Sequence, residues 1–314
     1  IINHIYKTIH YEYNVSFKYK QINFFINIYI KKKINIDNYI KYIKIVICLC
    51  LQEATDIPSE TFVFDLFLTD IKKSIPYDFQ NNIVSKYINS GFSRYIDKMY
   101  ICIYRSEEWV KVFIHECFHA FNMDFHEEKI NFINIFSNKF NIRSKFLIYE
   151  SFVEFWARIL NCGLFSYLIK ENISFPDFHT IFTLNLNIER VHSLKQGTKL
   201  LNIFQLSYED IITKDKTRQE IVKKTYNEST NAFCYYIITA ILLNDFDKTI
   251  KWFDLNQNNL FNFEKTERQV IIFCFYIKQI CDKDEIKNIF NEFNVHKIEK
   301  ENYMNMSIFD IASK

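Results

Sequence analysis

Three residues able to do chemistry lie within five positions of one another: His115, Glu116 and His119, in the run VFIHECFHAF at 112–121. On a helix, residues four apart share a face, so the two imidazoles can point at one spot while Glu116, turned about 100° from His115, sits beside it. Two imidazoles so placed can hold a zinc ion, and the free carboxylate can take a proton from a water beside them. Nearly every other residue from Trp109 to Phe121 is apolar, the pattern of a helix buried all round. Imidazoles and a carboxylate inside such a helix need partners, and a metal satisfies all three together. HExxH is short enough to recur by chance, in which case the histidines are hydrogen-bonded core residues and Glu116 is a surface residue. A second run tells against that reading.

The second run, SKFLIYESFVEFWARILNC at 144–162, reads as an apolar helix with one narrow polar stripe: Glu150, Ser151, Glu154, Arg158 and Asn161. Structural zinc sites are closed by four protein ligands, whereas hydrolytic ones use three and leave a position open. Glu150 supplies a third ligand. Glu154, one turn on, can accept the N–H of a ligating histidine, as carboxylates around metal sites commonly do. The plainer alternative is a solvated stripe with a Glu154–Arg158 pair at i,i+4.

The segment Glu150-Ser-Phe-Val-Glu154 resembles the glutamate helix of the gluzincin metallopeptidases. Thermolysin-like enzymes carry Asn-Glu-Ala-Ile-Ser-Asp there, and the related zinc aminopeptidases Asn-Glu-Gly-Phe-Ala. The resemblance implies His115, His119 and Glu150 as zinc ligands, Glu116 as general base, and Glu154 in place of the aspartate that supports a ligand histidine. Two departures stand out: Tyr149 occupies the position of the Asn, and the gap from His119 to Glu150 is roughly ten residues longer than in those families. The longer gap leaves Glu154 a rival ligand. The resemblance covers 105–161, roughly a sixth of the chain. The third histidine of the metzincin pattern is absent, and His126 lacks its spacing.

Around these helices, 61–68 and 99–104 read as strands, and so does the apolar run IVICLCL at 45–51. Residues 19–32 fit a strand pair or an aromatic helix. Residues 88–94, around Gly91, read as a turn. Ser106 suits the N-cap of the HExxH helix. The stretch 124–141, with Glu127 and Glu128, lines the cleft or forms a lid. Further helices are expected at 185–204, 217–244, 246–252, 264–281 and 283–293. A polar linker is expected at 207–216, and after 299 a short helix or a disordered tail. The expected fold class is α+β and zincin-like, a small N-terminal sheet followed by a mostly helical domain. Residues 1–206 form the catalytic region, and 207–314 a helical region closing the cleft. In such a fold the sheet edge beside the metal helix can bind an extended peptide by strand addition.

Composition narrows the setting. The chain has 314 residues and a formal net charge of +2, so charge implies no nucleic-acid partner. Gly and Pro number three each, which favours helices over long loops. Eight scattered cysteines without CxxC read as free thiols of a reducing, intracellular compartment, the cytoplasm being the expected one. The wealth of Ile, Asn, Lys, Phe and Tyr resembles the product of an A/T-rich genome, such as a protist's or that of a protist virus. No signal peptide is evident, and no apolar run reaches membrane-spanning length. There is no phosphate loop, nucleophile elbow or zinc-finger spacing. The expectation is zinc-dependent hydrolysis of a peptide or protein substrate, with Zn(2+) as cofactor. The alternatives are a zinc hydrolase acting on a non-peptide substrate and a degenerate zincin fold used for binding or scaffolding. Tyr226, Tyr235, His192 and His179 are candidates to stabilise the transition state. Oligomeric state is left open.

Overall fold

The chain begins with a short helix and a long hairpin. In the computed structural model, which describes residues 2–76, 82–126, 128, 130–170, 172–293 and 301–311, α1 (Ile2–Thr8) leads into β1 (Tyr11–Tyr19) and β2 (Ile22–Ile30). Lys20 and Gln21 join them with φ of 47° and 67°, the left-handed pair that matches the twist of a tight hairpin. Then come α2 (Asp37–Glu53), β3 (Thr61–Phe67), β4 (Ser74–Pro76), α3 (Ser85–Ile88), β5 (Gly91–Tyr95) and β6 (Met99–Ile103). The five long strands form one sheet in the order β1-β2-β3-β6-β5, with β2, β3 and β6 parallel and the two edge strands antiparallel. Alternate residues are buried on one face, among them Phe24, Ile26, Phe62, Phe64, Ile101 and Ile103. That face is covered by α2 and by the HExxH helix α4 (Trp109–Ala120).

The helical part follows: α5 (Phe132–Phe136), α6 (Ile148–Leu168), α7 (Phe175–Ile203), α8 (Tyr208–Ile212), α9 (Lys216–Thr225), a π-helix (Phe233–Ile238), then α10 (Thr239–Asn244), α11 (Phe246–Asn256), α12 (Glu267–Cys281) and α13 (Asp284–Glu292). Strand β7 (Glu301–Tyr303) closes the chain by pairing antiparallel with β4. Helix α6 is the hub, packed against α4, α7, α10 and the π-helix. The architecture is α+β, a small N-terminal sheet against a larger helical region. Among the described residues no helix is long and apolar enough to cross a membrane.

Several expectations need correction. Residues 45–51 are not a strand but the second half of α2. Its buried positions Ile43, Val46, Ile47, Cys50 and Leu51 have helical spacing, which a seven-residue apolar run hides. Gly91 does not sit in a turn but opens the edge strand β5. Ser106 does not cap α4; Glu108 does, in the left-handed region at φ 57° and with no side-chain cap bond. The helix expected over 217–244 is broken at 226–231, between α9 and the π-helix. The linker expected at 207–216 contains α8, fixed by a Ser207–Asp210 capping box. Of the tail after 299, residues 301–303 form β7 and not a helix, and Met304, Met306 and Ser307 are buried beneath α4 and α6. Of the acidic pair in the inserted stretch, Glu127 lies outside the described residues.

Candidate metal centre

Helix α4 is buried on almost every side because the sheet, α2 and α6 surround it. Its approach to β5 is close: a Cβ on Gly91 would lie 2.9 Å from the Cys102 carbonyl oxygen and 3.3 Å from Glu116 Cγ. Only a residue without a side chain fits between the edge strand and the helix. Helix α6 crosses α4 and brings Glu150 over the two histidines.

The three donor atoms form a near-equilateral triangle. His115 Nε2 and His119 Nε2 are 3.2 Å apart, and each lies 3.3 Å from Glu150 Oε2. Three ligands at about 2.0–2.1 Å from a tetrahedral ion are about 3.3 Å from one another. Both Nδ1 atoms are already committed. His115 Nδ1 lies 3.0 Å from Glu154 Oε2, and His119 Nδ1 lies 2.5 Å from Asp124 Oδ2. With Nδ1 donating, each neutral imidazole turns a lone pair on Nε2 toward the carboxylate oxygen. Glu150 Oε2 is buried and makes no hydrogen bond of acceptable geometry, while Oε1 accepts from Asn231 Nδ2 at 3.0 Å. Three acceptors facing one point, two of them buried and His119 half-buried, repel unless a cation lies between them. The cluster is therefore suited to chelate a metal ion, and its two nitrogens and one carboxylate oxygen suit zinc. Burial opposes charge on His119, but Asp124 and Glu150 outweigh it and hold the imidazole well above its usual pKa. Burial likewise acts against Glu150, yet the two histidines hold it down to about 2. A cation is thus favoured at this point, as protons or as metal.

The supporting carboxylates differ in character. Glu154 is fully buried and accepts from Lys111 Nζ at 3.0 and 3.1 Å, from Arg158 Nε at 2.9 Å and from His115. Both its oxygens are occupied. Lys111 belongs to a wider buried lattice. Lys73 Nζ lies 3.0 Å from Glu108, Glu108 accepts from the Ser307 backbone N–H, and Glu189 accepts from the Ser307 hydroxyl and the Ile308 N–H at 3.0 and 3.1 Å. Asp124 rests on less: its other oxygen accepts from His126. Asn122, at φ 52°, turns the chain back after α4 and delivers Asp124 beneath His119.

Glu116 points into an open cleft of about 640 Å³ that also contains the ligand cluster. Burial raises its pKa, and the two histidines and Ser93 of β5 pull it partly back. Tyr235 lines the same cleft with its ring centroid 5.8 Å from that of His115. The π-helix supplies that position: the Cys234 carbonyl, which accepts the Thr239 N–H, also accepts from Ser151 Oγ at 3.1 Å and Thr239 Oγ1 at 2.9 Å, and the Tyr235 carbonyl accepts from Arg158 at 3.0 Å. The other candidates lie elsewhere. Tyr226 bonds Glu228 at 3.0 Å, His192 bonds the Asn305 carbonyl, and His179 is exposed on α7.

The chain matches no family model, no curated protein and no solved structure. What stands is the cluster itself. His115-Glu116-x-x-His119 with Glu150 forms a zinc-binding-like site of the general zincin type. Sequence reading missed Asp124, Lys111, Ser93 and Asn231. The Asp124-x-His126 spacing four residues past a helix end was the one signal for the first; nothing local marks the others.

Proposed function

We propose that the protein is a zinc-dependent peptidase, with His115, His119 and Glu150 as ligands and Glu116 as general base. The observation that carries the metal is the triangle of 3.2–3.3 Å between three acceptors, His115 and Glu150 buried and His119 half-buried, with the histidines' other nitrogens already engaged. Glu150 is preferred to Glu154 as third ligand because both oxygens of Glu154 are held by other donors. The order of ligand and supporting carboxylate along α6 fits a gluzincin arrangement.

Bound zinc would supply Lewis acidity toward the scissile carbonyl and acidify the attacking water. Glu116 lies one residue from a ligand, facing the cleft, where it takes the water's proton and returns it to the leaving nitrogen. Its raised pKa suits that exchange. Tyr235 is placed to donate its hydroxyl to the developing oxyanion. A peptide is preferred as substrate because β5 is a sheet edge along the cleft with no second strand partner among the described residues. The bonds Tyr104 N–H to Ser90 O and Ile96 N–H to Lys98 O set the even-numbered residues of β5 against β6. The N–H and C=O groups of Gly91, Ser93 and Tyr95 then point outward, and an extended chain can pair with them.

The test is elemental analysis of unchelated protein, followed by a mixed-peptide screen with wild type and Glu116→Gln. The proposal expects one zinc per chain in both and cleavage in wild type alone. Zinc without cleavage in wild type leaves a hydrolase of another substrate; a chain that binds no zinc is not a metalloenzyme.

A further inference from the structure

The end of the sheet away from the cleft is also unfinished. Strand β1 is the opposite edge, nine residues long and without a second strand partner among the described residues. The two-residue turn makes Tyr19 and Ile22 a hydrogen-bonded pair, and in the register to Ile30 the odd residues of β1 bond β2. The N–H and C=O groups of Glu12, Asn14, Ser16 and Lys18 therefore point outward, unpaired. Free edges of this length are normally blocked by unmatched charges or a proline. Here the two charges match each other. Read antiparallel about Val15, YEYNVSFKY sets Glu12 against Lys18, Asn14 against Ser16 and Tyr13 against Phe17. The outward-facing residues coincide with the pairs that must exchange hydrogen bonds, so phase and charge agree in one register.

We propose that β1 pairs with β1 of a second copy of this chain about a twofold axis at Val15, giving one continuous ten-stranded sheet. About eight backbone hydrogen bonds would form between hydrogen-bonded pairs. Glu12 of each copy meets Lys18 of the other, so the pair occurs twice, once on each side of the axis. Lys18 has no ion pair within its own chain among the described residues, and Glu12 contacts Tyr29 across the strand.

A second observation concerns the inner face beside the axis. There Val15, Ile36, Ile40, Ile45, Cys48 and Leu49 line an open, mainly apolar groove of about 860 Å³ between β1 and α2. Helix α2 buries the stripe through Ile43, Val46, Ile47 and Cys50 and leaves this second stripe uncovered. Pairing at β1 brings the two grooves side by side, so each copy's apolar stripe faces the other's. The assembly is isologous and closes on itself, leaving only the two β5 edges.

Sedimentation equilibrium of the full chain at micromolar concentration tests the proposal. The expected mass is twice the 38.2 kDa of one chain. Asn14→Pro removes one outward N–H and no bond to β2, so it should give a folded monomer by circular dichroism. Glu12→Lys alone or Lys18→Glu alone should weaken the dimer roughly tenfold, and the double exchange should restore it. Val15→Cys, made with Cys48→Ser, should form an intermolecular disulfide on mild oxidation. A wild-type monomer would overturn the proposal. So would a dimer indifferent to Asn14→Pro, or single charge reversals that the double exchange fails to rescue.

Discussion

His115 and His119 rest on carboxylates of unequal security, and that difference is measurable. Glu154 is held by two full cations, Lys111 and Arg158, whereas Asp124 divides its charge between His119 and His126. Asp124→Asn should lower zinc affinity by about 10–100-fold in competition with a chelator, the usual range for a supporting carboxylate. Glu150→Ala should remove most of the metal. Glu154→Ala is a different injury, since it strands Lys111 and Arg158 in the interior. It should cost about 3–5 kcal/mol of folding stability in urea melts run with excess chelator, where no metal contributes. Equal stability of that variant and wild type would show that the lattice does not need Glu154. At this scale the sequence was informative where residues acted through helical spacing. The His115/His119 and Glu150/Glu154 pairs were legible because i,i+4 places each pair on one face, with Glu116 beside the first. Asp124 and Lys111 were not. One reaches its histidine through a left-handed turn at Asn122, and the other reads as an ordinary helix lysine until α6 is laid across it.

Among the elements, β5 and α4 are joined by an absence of side chain. Gly91→Ala would drive a methyl group against the Cys102 carbonyl oxygen at 2.9 Å and Val112 Cγ1 at 3.1 Å. Neither the backbone of β6 nor the packed helix can yield easily, so the edge strand should shift away from Glu116. The expected loss is about 1–3 kcal/mol in stability, together with a fall in kcat and retention of zinc. Unchanged melting and turnover would show that the contact relaxes freely. The misread elements have separate physical causes. The run 45–51 is apolar on its buried face and also at the exposed Ile45 and Cys48, so local period could not separate strand from helix. Gly91 looked like a turn because a glycine's usual reason is a bend, whereas here it is close approach. The strands at 61–68 and 99–104 were legible from their β-branched and aromatic alternation.

Across the whole molecule, sheet and helical region meet at the metal cluster, and ligand binding should register in global stability. Zinc at about a hundred times its Kd should add about 2.7 kcal/mol, so chelation should lower the thermal midpoint and added zinc restore it. Calorimetry with and without chelator checks this; an unchanged midpoint would mean that nothing binds in the folded state. The buried C-terminal segment was the least legible part, since the partners that bury its Ser307 include groups far upstream. Ser307 is 199 positions from Glu108 and 118 from Glu189. During synthesis both glutamates leave the ribosome long before the backbone N–H groups that satisfy them. Until those arrive, Glu108 and Glu189 must stay hydrated or be buried without those donors, and α4 cannot settle into its final surroundings. Contacts of such separation form late. The order of assembly follows: the HExxH helix can coil early, but its surroundings are complete only once residues 304–308 have emerged to meet Glu108 and Glu189.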